Sequence, residues 1–320
     1  MVYQFEFRPY QRRFVQPLTT HHGVWDIRKG IILRLVDEAG KVGWGEIAPI
    51  SWFGSETLEQ ALDFCRQLPT EITKEIIFSI PDCLPACQFG FESALVGVGS
   101  WGDISTSSIS GLLSAGEAAL QQWPTLWEEG YRTFKWKIGV DAIAKELAIF
   151  DTLSYSLPAS GKLRLDANGG LSYEEAKLWL WTCDNIQGEV PVDIEFMEQP
   201  LPVAELSGML ELSRCYSTAI ALDESVATLH QLITCYQQGW RKIFVIKPGI
   251  VGSPLQLRQF CQQHEIDAVF SSVFETFIGR QAALNLTAEL SRKNRAVGFG
   301  VDHFFAQADA TNPQSLWNNL

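Results

Sequence analysis

The sequence predicts an α/β chain in which a closed barrel of eight parallel strands and seven helices follows a smaller α+β domain. Three observations lead there. Residues 1 to about 50 read as strands and only then give way to helices, the order of an α+β unit. From about residue 106 short apolar strands alternate with helical segments, eight of the first and seven of the second. At the C-terminal ends of those strands acidic residues and lysines recur in order, and barrels keep their chemistry at that end.

In the first domain "QFEFRPYQRRF" alternates, and "GIILRLVDEAGKVGWGEIAP" reads as a hairpin turning at Glu38-Ala39-Gly40. "SETLEQALDFCRQL" predicts a helix opening with Ser55, with Glu56 in its first turn and Leu58, Ala61, Leu62 and Cys65 along one face. "PACQFGFESALVGV" predicts a second helix. Gly97, Gly99 and Gly102 spell GxGxxG in "GVGSWG", but a helix precedes it and Ser/Thr-rich chain follows, so it reads as a linker. The barrel strands are then "SSISGLLS", "YRTFKWKIG", "GKLRLDANGG", "VDIEFMEQP", "TAIALDES", "RKIFVIKPG", "IDAVFSSVFE" and "RAVGFG". A doubly wound sheet is the rival, but eight such units in a row favour closure. From Val301 onward there is no ninth helical pattern. Residues 1–100 are therefore assigned to the first domain, 101–300 to the barrel, and 301–320 to a tail that returns to the first domain.

The balance of 25 basic against 37 acidic residues, −12 overall, argues against nucleic acid or an anionic membrane as partner. No apolar run is long enough to cross a bilayer, and the first residues lack the pattern of a secretory signal. Seven cysteines without a CxxC pair read as reduced thiols, which points to the cytoplasm.

"TFKWKIGV" sends Lys135 and Lys137 to one face of a strand and Phe134 and Trp136 to the other. A solvated edge strand would do the same, so the neighbouring strand ends decide. The third ends in Asp166 and Asn168, the fourth in Glu198, the fifth in Asp223 and the sixth in Lys247. Any one of these acids could simply cap a helix. Three on adjacent strands repel one another unless a cation lies between them, and hard oxygen ligands suit Mg²⁺. Parity places Asp166 and Asn168 with Arg164, and leaves Leu163, Leu165 and Ala167 for the helix layer. Glu198 is the better ligand than Glu195, which shares a face with Met197. Asp223 is preferred to Glu224, which could orient a lysine or cap the next helix. Such a cation absorbs the charge that develops when a lysine removes a proton next to a carboxylate. Lys135 beside Lys137 would lower its neighbour's pKa, as like charges do. Lys247 approaches from the opposite side as a second base or a fixed cation.

"KWKIG", "RLDANGG", "MEQP", "LDES" and "IKPGIVGS" fall in the order seen in the enolase superfamily, and the chain resembles its muconate-lactonizing-enzyme-like branch. The resemblance spans nearly the whole chain and implies a (β/α)7β modified TIM barrel with an N-terminal α+β capping domain. It implies Lys137 as general base, Lys247 as the facing lysine and Lys135 as electrostatic partner. It further implies Asp166, Glu198 and Asp223 as ligands of Mg²⁺ (with Mn²⁺ able to replace it), and Asn168 as a polar contact near the substrate. Within the branch the chain is most similar to the o-succinylbenzoate synthase family, through "RLDANGGLS", "WGEIAPISWFGSET" and its short length. That implies a lyase of menaquinone and phylloquinone biosynthesis acting on a small carboxylate. In the strand-seven motif Ser271 and Ser272 match, and Gly298 matches the glycine lining the pocket. "THHGVWDIRKG" resembles the loop that closes over the substrate, with Arg28 as an anion contact and His21 and His22 as loop surface. The alternatives are an N-succinylamino acid racemase or dipeptide epimerase of the same branch, and a metal-binding scaffold without activity. "GFGVDHFF" lacks the Asp-x-Asp that dipeptide epimerases use.

Overall fold

Alternation along residues 2–47 builds one antiparallel sheet in the computed structural model, which describes residues 1–20, 23–96, 105–305 and 312–320. Strands β1 (Val2–Thr20), β2 (Gly23–Asp37), β3 (Val42–Ile47) and β4 (Glu71–Thr73) lie in the order β3-β2-β1-β4. The β2–β3 turn falls where the sequence predicts it, with Gly40 at φ 79° and the Asp37 carboxylate accepting from the Ala39 and Lys41 amides. β1 and β2 are 19 and 15 residues long, more than a small core needs. Beyond an irregularity after Arg13 their far ends pair again, Leu18 with Trp25, and overhang the barrel mouth.

Helices α1 (Leu58–Gln67), α2 (Lys74–Phe78) and α3 (Pro85–Val96) complete the first core, where Ala61, Leu62 and Cys65 meet Ile31, Leu33 and Phe91. α1 begins later than the sequence reading has it: Thr57 caps it, in a capping box with Gln60. Glu56 is not in its first turn. Its buried carboxylate accepts from the Ala86 and Cys87 amides and so caps α3, whose free N–H groups would otherwise be stranded. α3 lies so close on β3 that a Cβ at Gly43 would fall 1.9 Å from the Ala94 carbonyl oxygen, and one at Gly45 2.0 Å from that of Gly90.

The barrel strands are β5 (Ser110–Leu113), β6 (Thr133–Lys137), β7 (Lys162–Asp166), β8 (Asp193–Glu198), β9 (Ile220–Leu222), β10 (Ile243–Ile246) and β11 (Asp267–Phe270), parallel and adjacent in that order. Between and after them run α4 (Ala119–Glu128), α5 (Ile143–Ser156), α6 (Tyr173–Ile186), α7 (Leu206–Cys215), α8 (Leu229–Gln237), the short α9 (Pro248–Val251), α10 (Pro254–Gln263) and α11 (Phe277–Leu290). The eighth strand is reduced to two residues. Val297 bridges to Ile109 and Gly298 to Ser271, and this joins the two edges of the sheet into a ring. Phe134, Trp136, Leu163, Leu165, Phe244 and Phe270 are buried in the layer between strands and helices.

The parity reading of β8 needs one correction. Leu163 pairs with Ile194 but Arg164 with Phe196, so Glu195 is an inserted bulge residue. The bulge lets Glu195 leave Met197's side and pair with Arg164 at 2.6 Å and Arg295 at 2.7 Å.

The C-terminal stretch contains a six-residue helix, α12 (Pro313–Asn318), too short to show as a periodic pattern but capped by Asn312 with Pro313 at its first position. Its Trp317 packs on Trp44 of β3 with ring centroids 5.6 Å apart, and its carbonyl accepts from Arg8. All seven cysteines are free thiols. Among the described residues no helix is long and apolar enough to cross a membrane. "GVGSWG", His21 and His22 lie outside the described residues.

Candidate active site

Strand register builds the site. Lys137 stands opposite Asp166 across β6 and β7, and Asp166 opposite Glu198 across β7 and β8, so the three form a row at the strand tops. Lys135 sits below Lys137 on the same side, while Phe134 and Trp136 are fully buried behind them. Asp223 directly follows β9 and Lys247 directly follows β10. These residues, with Asn168, Ser271, Ser272 and Gly298, line one cavity of about 1010 Å³. Leu18, Trp25, Trp52 and Phe53 of the first domain close it from above.

The charges inside are paired unevenly. Lys135 Nζ lies 2.7 Å from Asp166 and 2.9 Å from Glu198. Lys247 pairs with Asp223, and its ammonium stands 4.0 Å from the centre of the Phe53 ring. Lys137 makes no hydrogen bond or ion pair among the described residues. Burial works against the Lys135 charge, but Asp166 and Glu198 outweigh it and hold this lysine well above its ordinary range. The sequence reading has Lys135 acting on Lys137 as a like charge; in the structure that charge is taken up by two acids instead. Burial above all, then the Asp166 charge, pushes Glu198 upward, and burial likewise raises Asp223, with Glu224 adding to it.

Among the described residues no three acidic, histidine or cysteine side chains are gathered about one point as metal ligands. The ammonium of Lys135 stands between Asp166 and Glu198, and that of Lys247 on Asp223. The donor set nevertheless fits a hard divalent cation. Glu224 joins Asp166, Glu198 and Asp223 on the cavity wall, so four carboxylates face three ammonium groups, the Arg164 guanidinium on the same wall being spent on Glu195. Glu224 Oε2 is buried without a partner, while its Oε1 accepts from Asn168 Nδ2 at 3.1 Å. A deficit of positive charge among buried carboxylate oxygens is what such an ion relieves.

Two sequence-predicted residues stand differently from the expectation. Arg28 does not reach the cavity: it is 2% exposed and donates to the carbonyls of Lys29, Ala48 and Pro49. Its guanidinium ties the interior of β2 to the loop that follows β3. Ser272 faces the cavity, but its hydroxyl donates to Glu275 at 2.9 Å. Ser271 Oγ has only a 3.4 Å contact with the Gly298 carbonyl. A Cβ at Gly298 would fall 2.6 Å from that same Oγ, so the glycine keeps this wall open.

The sequence reading passed over Gln199, inside the quoted "MEQP". Fully buried at φ 38°, it accepts from the Asp223 and Ser225 amides at 3.0 and 3.2 Å and donates to Ser225 Oγ at 2.8 Å. It thus sets the turn that carries Asp223. A polar residue between an acid and a proline at a strand end was the available signal. The aromatic roof of Phe14, Trp25, Trp52 and Phe274 was also missed, because its rings come from three distant segments.

Comparison with known proteins agrees with this architecture. A family model described as "Enolase C-terminal domain-like" matches residues 118–316, and one described as "MenC, N-terminal domain" matches residues 7–98. An o-succinylbenzoate synthase of Thermosynechococcus vestitus is 41% identical over 99% of both chains. That of Yersinia enterocolitica is 31% identical over 79% of this chain and 76% of the relative. The crystal structure of o-succinylbenzoate synthase from Thermosynechococcus elongatus, complexed with Mg in the active site, superposes with a TM-score of 0.91 at 40% identity, covering 99% of this chain and 100% of that one. The L-Ala-D/L-Glu epimerase of Bacillus subtilis, at 22% identity and a TM-score of 0.77 over 96% of this chain and 91% of that one, shares the fold. With its two parts matched by these two models and its full length by such a relative, the chain belongs to the o-succinylbenzoate synthase family of the enolase superfamily.

Proposed function

We propose that the chain is a Mg²⁺-dependent o-succinylbenzoate synthase, a carbon–oxygen lyase that dehydrates 2-succinyl-6-hydroxy-2,4-cyclohexadiene-1-carboxylate to o-succinylbenzoate. The reading is carried by one observation: an unpaired Lys137 stands in register beside Asp166, inside the cavity at the strand ends, in a chain that matches that family from end to end. Asp166, Glu198 and Asp223 would hold the ion, with Mn²⁺ able to replace Mg²⁺. When bound, the ion supplies positive charge to the substrate carboxylate, whose α-proton is otherwise too weakly acidic for a lysine. Lys137 Nζ, as the base, takes that proton, and the resulting ammonium returns it to the hydroxyl leaving from the same face, so that water departs and the ring becomes aromatic. Lys247, across the barrel mouth, is the fixed cation. Lys135 keeps Asp166 and Glu198 from repelling each other. Asn168, Ser271 and the open wall at Gly298 contact the rest of the substrate.

Free thiols and a charge of −12 support a cytoplasmic enzyme of small molecules that takes part in menaquinone or phylloquinone biosynthesis. The domain division at about residue 100, with the tail from 301 returning to the first domain, is supported by the Trp44–Trp317 contact. The test is loss of the diene's ultraviolet absorbance with and without Mg²⁺. Lys137→Ala is expected to lose turnover by about 10³-fold while keeping the Mg²⁺-induced rise in melting temperature. Near-normal turnover in that variant removes Lys137 from the role. Deuterium wash-in to an unreacted N-succinylamino acid, without diene turnover, favours the racemase alternative.

A further inference from the structure

Phe274 is one of three non-glycine residues with positive φ among the described residues, at 61°, and its ring stands in the cavity wall. Such a backbone conformation is strained for a bulky side chain and persists only where its surroundings impose it. Here they do. Glu275, 4% exposed, accepts through Oε2 from Val273 N at 2.6 Å and from Ser272 Oγ at 2.9 Å. Ser272 Oγ in turn accepts from Phe274 N at 2.9 Å. The loop 272–275 is thus a closed ring of hydrogen bonds with Phe274 at its tip. The ring of Phe274 meets Phe14 at 5.5 Å, Trp25 at 5.4 Å and Phe304 at 5.6 Å, edge to face in each case. It therefore joins the barrel, the long hairpin of the first domain and the C-terminal segment over one cavity.

Two consequences follow from the chemistry of the groups. A serine hydroxyl has one proton, and that of Ser272 is committed to Glu275, so it has none to donate to a substrate carboxylate. Glu275 Oε1 is buried and takes no hydrogen bond from another side chain among the described residues. Burial, with the Glu46 charge adding, pushes this carboxyl up to about 7.

We propose that Glu275 is a positioning residue for substrate selection: by clasping Ser272 and Val273 it locks Phe274 in its left-handed turn, and the Phe274 ring sets the shape of the cavity wall facing the substrate. The identity of that substrate rests on the function proposed above, whereas the clasp itself does not.

The test is a double-mutant cycle of Phe274→Gly and Glu275→Ala, with Glu275→Gln as the conservative variant. All are assayed with the cyclohexadiene and Mg²⁺, and acrylamide quenching of Trp25 is read by difference against Trp25→Phe. Glu275→Ala is expected to raise KM about 10-fold with kcat within about threefold, the pattern of lost binding rather than lost chemistry. In the Phe274→Gly background, where φ 61° is no longer strained, it is expected to add less than about twofold. Glu275→Gln, whose amide oxygen can accept both bonds, is expected to stay within about threefold of the parent KM. Trp25 is expected to become more quenchable in Glu275→Ala. Equal effects in both backgrounds, or an unchanged KM, overturn the proposal. If the parent turns over no diene, the proposed function fails instead. The quenching then decides the clasp alone, and unchanged Trp25 accessibility overturns it.

Discussion

Glu46 is a heavily loaded polar link between the first sheet and the barrel. It is 1% exposed, sits near the end of β3, and its carboxylate serves the start of α11, 230 residues further along. It accepts from Thr276 N at 2.9 and 3.0 Å, from Thr276 Oγ1 at 2.5 Å, from Gly279 N at 2.9 Å and from Tyr10 Oη at 2.5 Å. Glu46→Ala strands the Tyr10 hydroxyl and the Thr276 and Gly279 amides in a place solvent does not reach. The Thr276 hydroxyl loses its acceptor too, because the bond it accepts from Ile278 N leaves its own proton unpaired. At ~1–3 kcal/mol for each stranded buried donor, four donors imply a loss of roughly 4–12 kcal/mol. A value near the lower end is expected, because the cavity left by the side chain can admit water. That is a large part of the ~5–15 kcal/mol of a typical domain. Urea denaturation followed by tryptophan fluorescence measures it. Tyr10→Phe, which removes one bond and strands nothing, is expected to lose about 1 kcal/mol. Glu46→Gln should fall between them, since its amide oxygen still accepts while its NH₂ faces other donors. A loss below about 1 kcal/mol for Glu46→Ala would refute the accounting of stranded donors.

The remaining predictions concern the cavity and the domain contact. Glu198 and Asp223 are both raised by burial, so in the metal-free protein the stability tied to them is greatest at low pH and is lost as pH rises through the raised values. Mg²⁺ favours the ionised forms, so its gain in melting temperature over EDTA should grow between pH 5 and pH 8; an equal gain at both would contradict the charge argument. Gly45→Ala drives a Cβ to 2.0 Å from the Gly90 carbonyl oxygen and should cost about 1–3 kcal/mol or more in the same denaturation experiment, because backbone rather than a flexible side chain must give way. Gly298→Ala crowds Ser271 Oγ at 2.6 Å and should raise KM for the diene several-fold with the fold intact, as judged by circular dichroism.

Much of this molecule could be read locally. The alternation in "TFKWK" alone separates the lysine face from the Phe134–Trp136 face, and the structure has that division. The strand ends likewise announce Asp166, Glu198, Asp223 and Lys247, because a side chain at the end of a barrel strand has one mouth to face. Other residues could not be read this way. Glu56 looks like part of the helix it precedes but caps α3, and Arg28 looks like an anion contact but holds the carbonyls of Ala48 and Pro49. Glu195 changes side through a bulge, and Phe274 gains its aromatic partners from residues 14, 25 and 304. Periodicity is a property of the chain's own geometry, so the sequence by itself determined the elements, their faces and the order of charges along the barrel mouth. Which of those charges is spent on a backbone amide, which on a lysine and which is left facing the cavity depends on segments tens to hundreds of residues apart. Only packing brings those segments within the 3 Å over which a hydrogen bond acts, and so only the tertiary structure decided it.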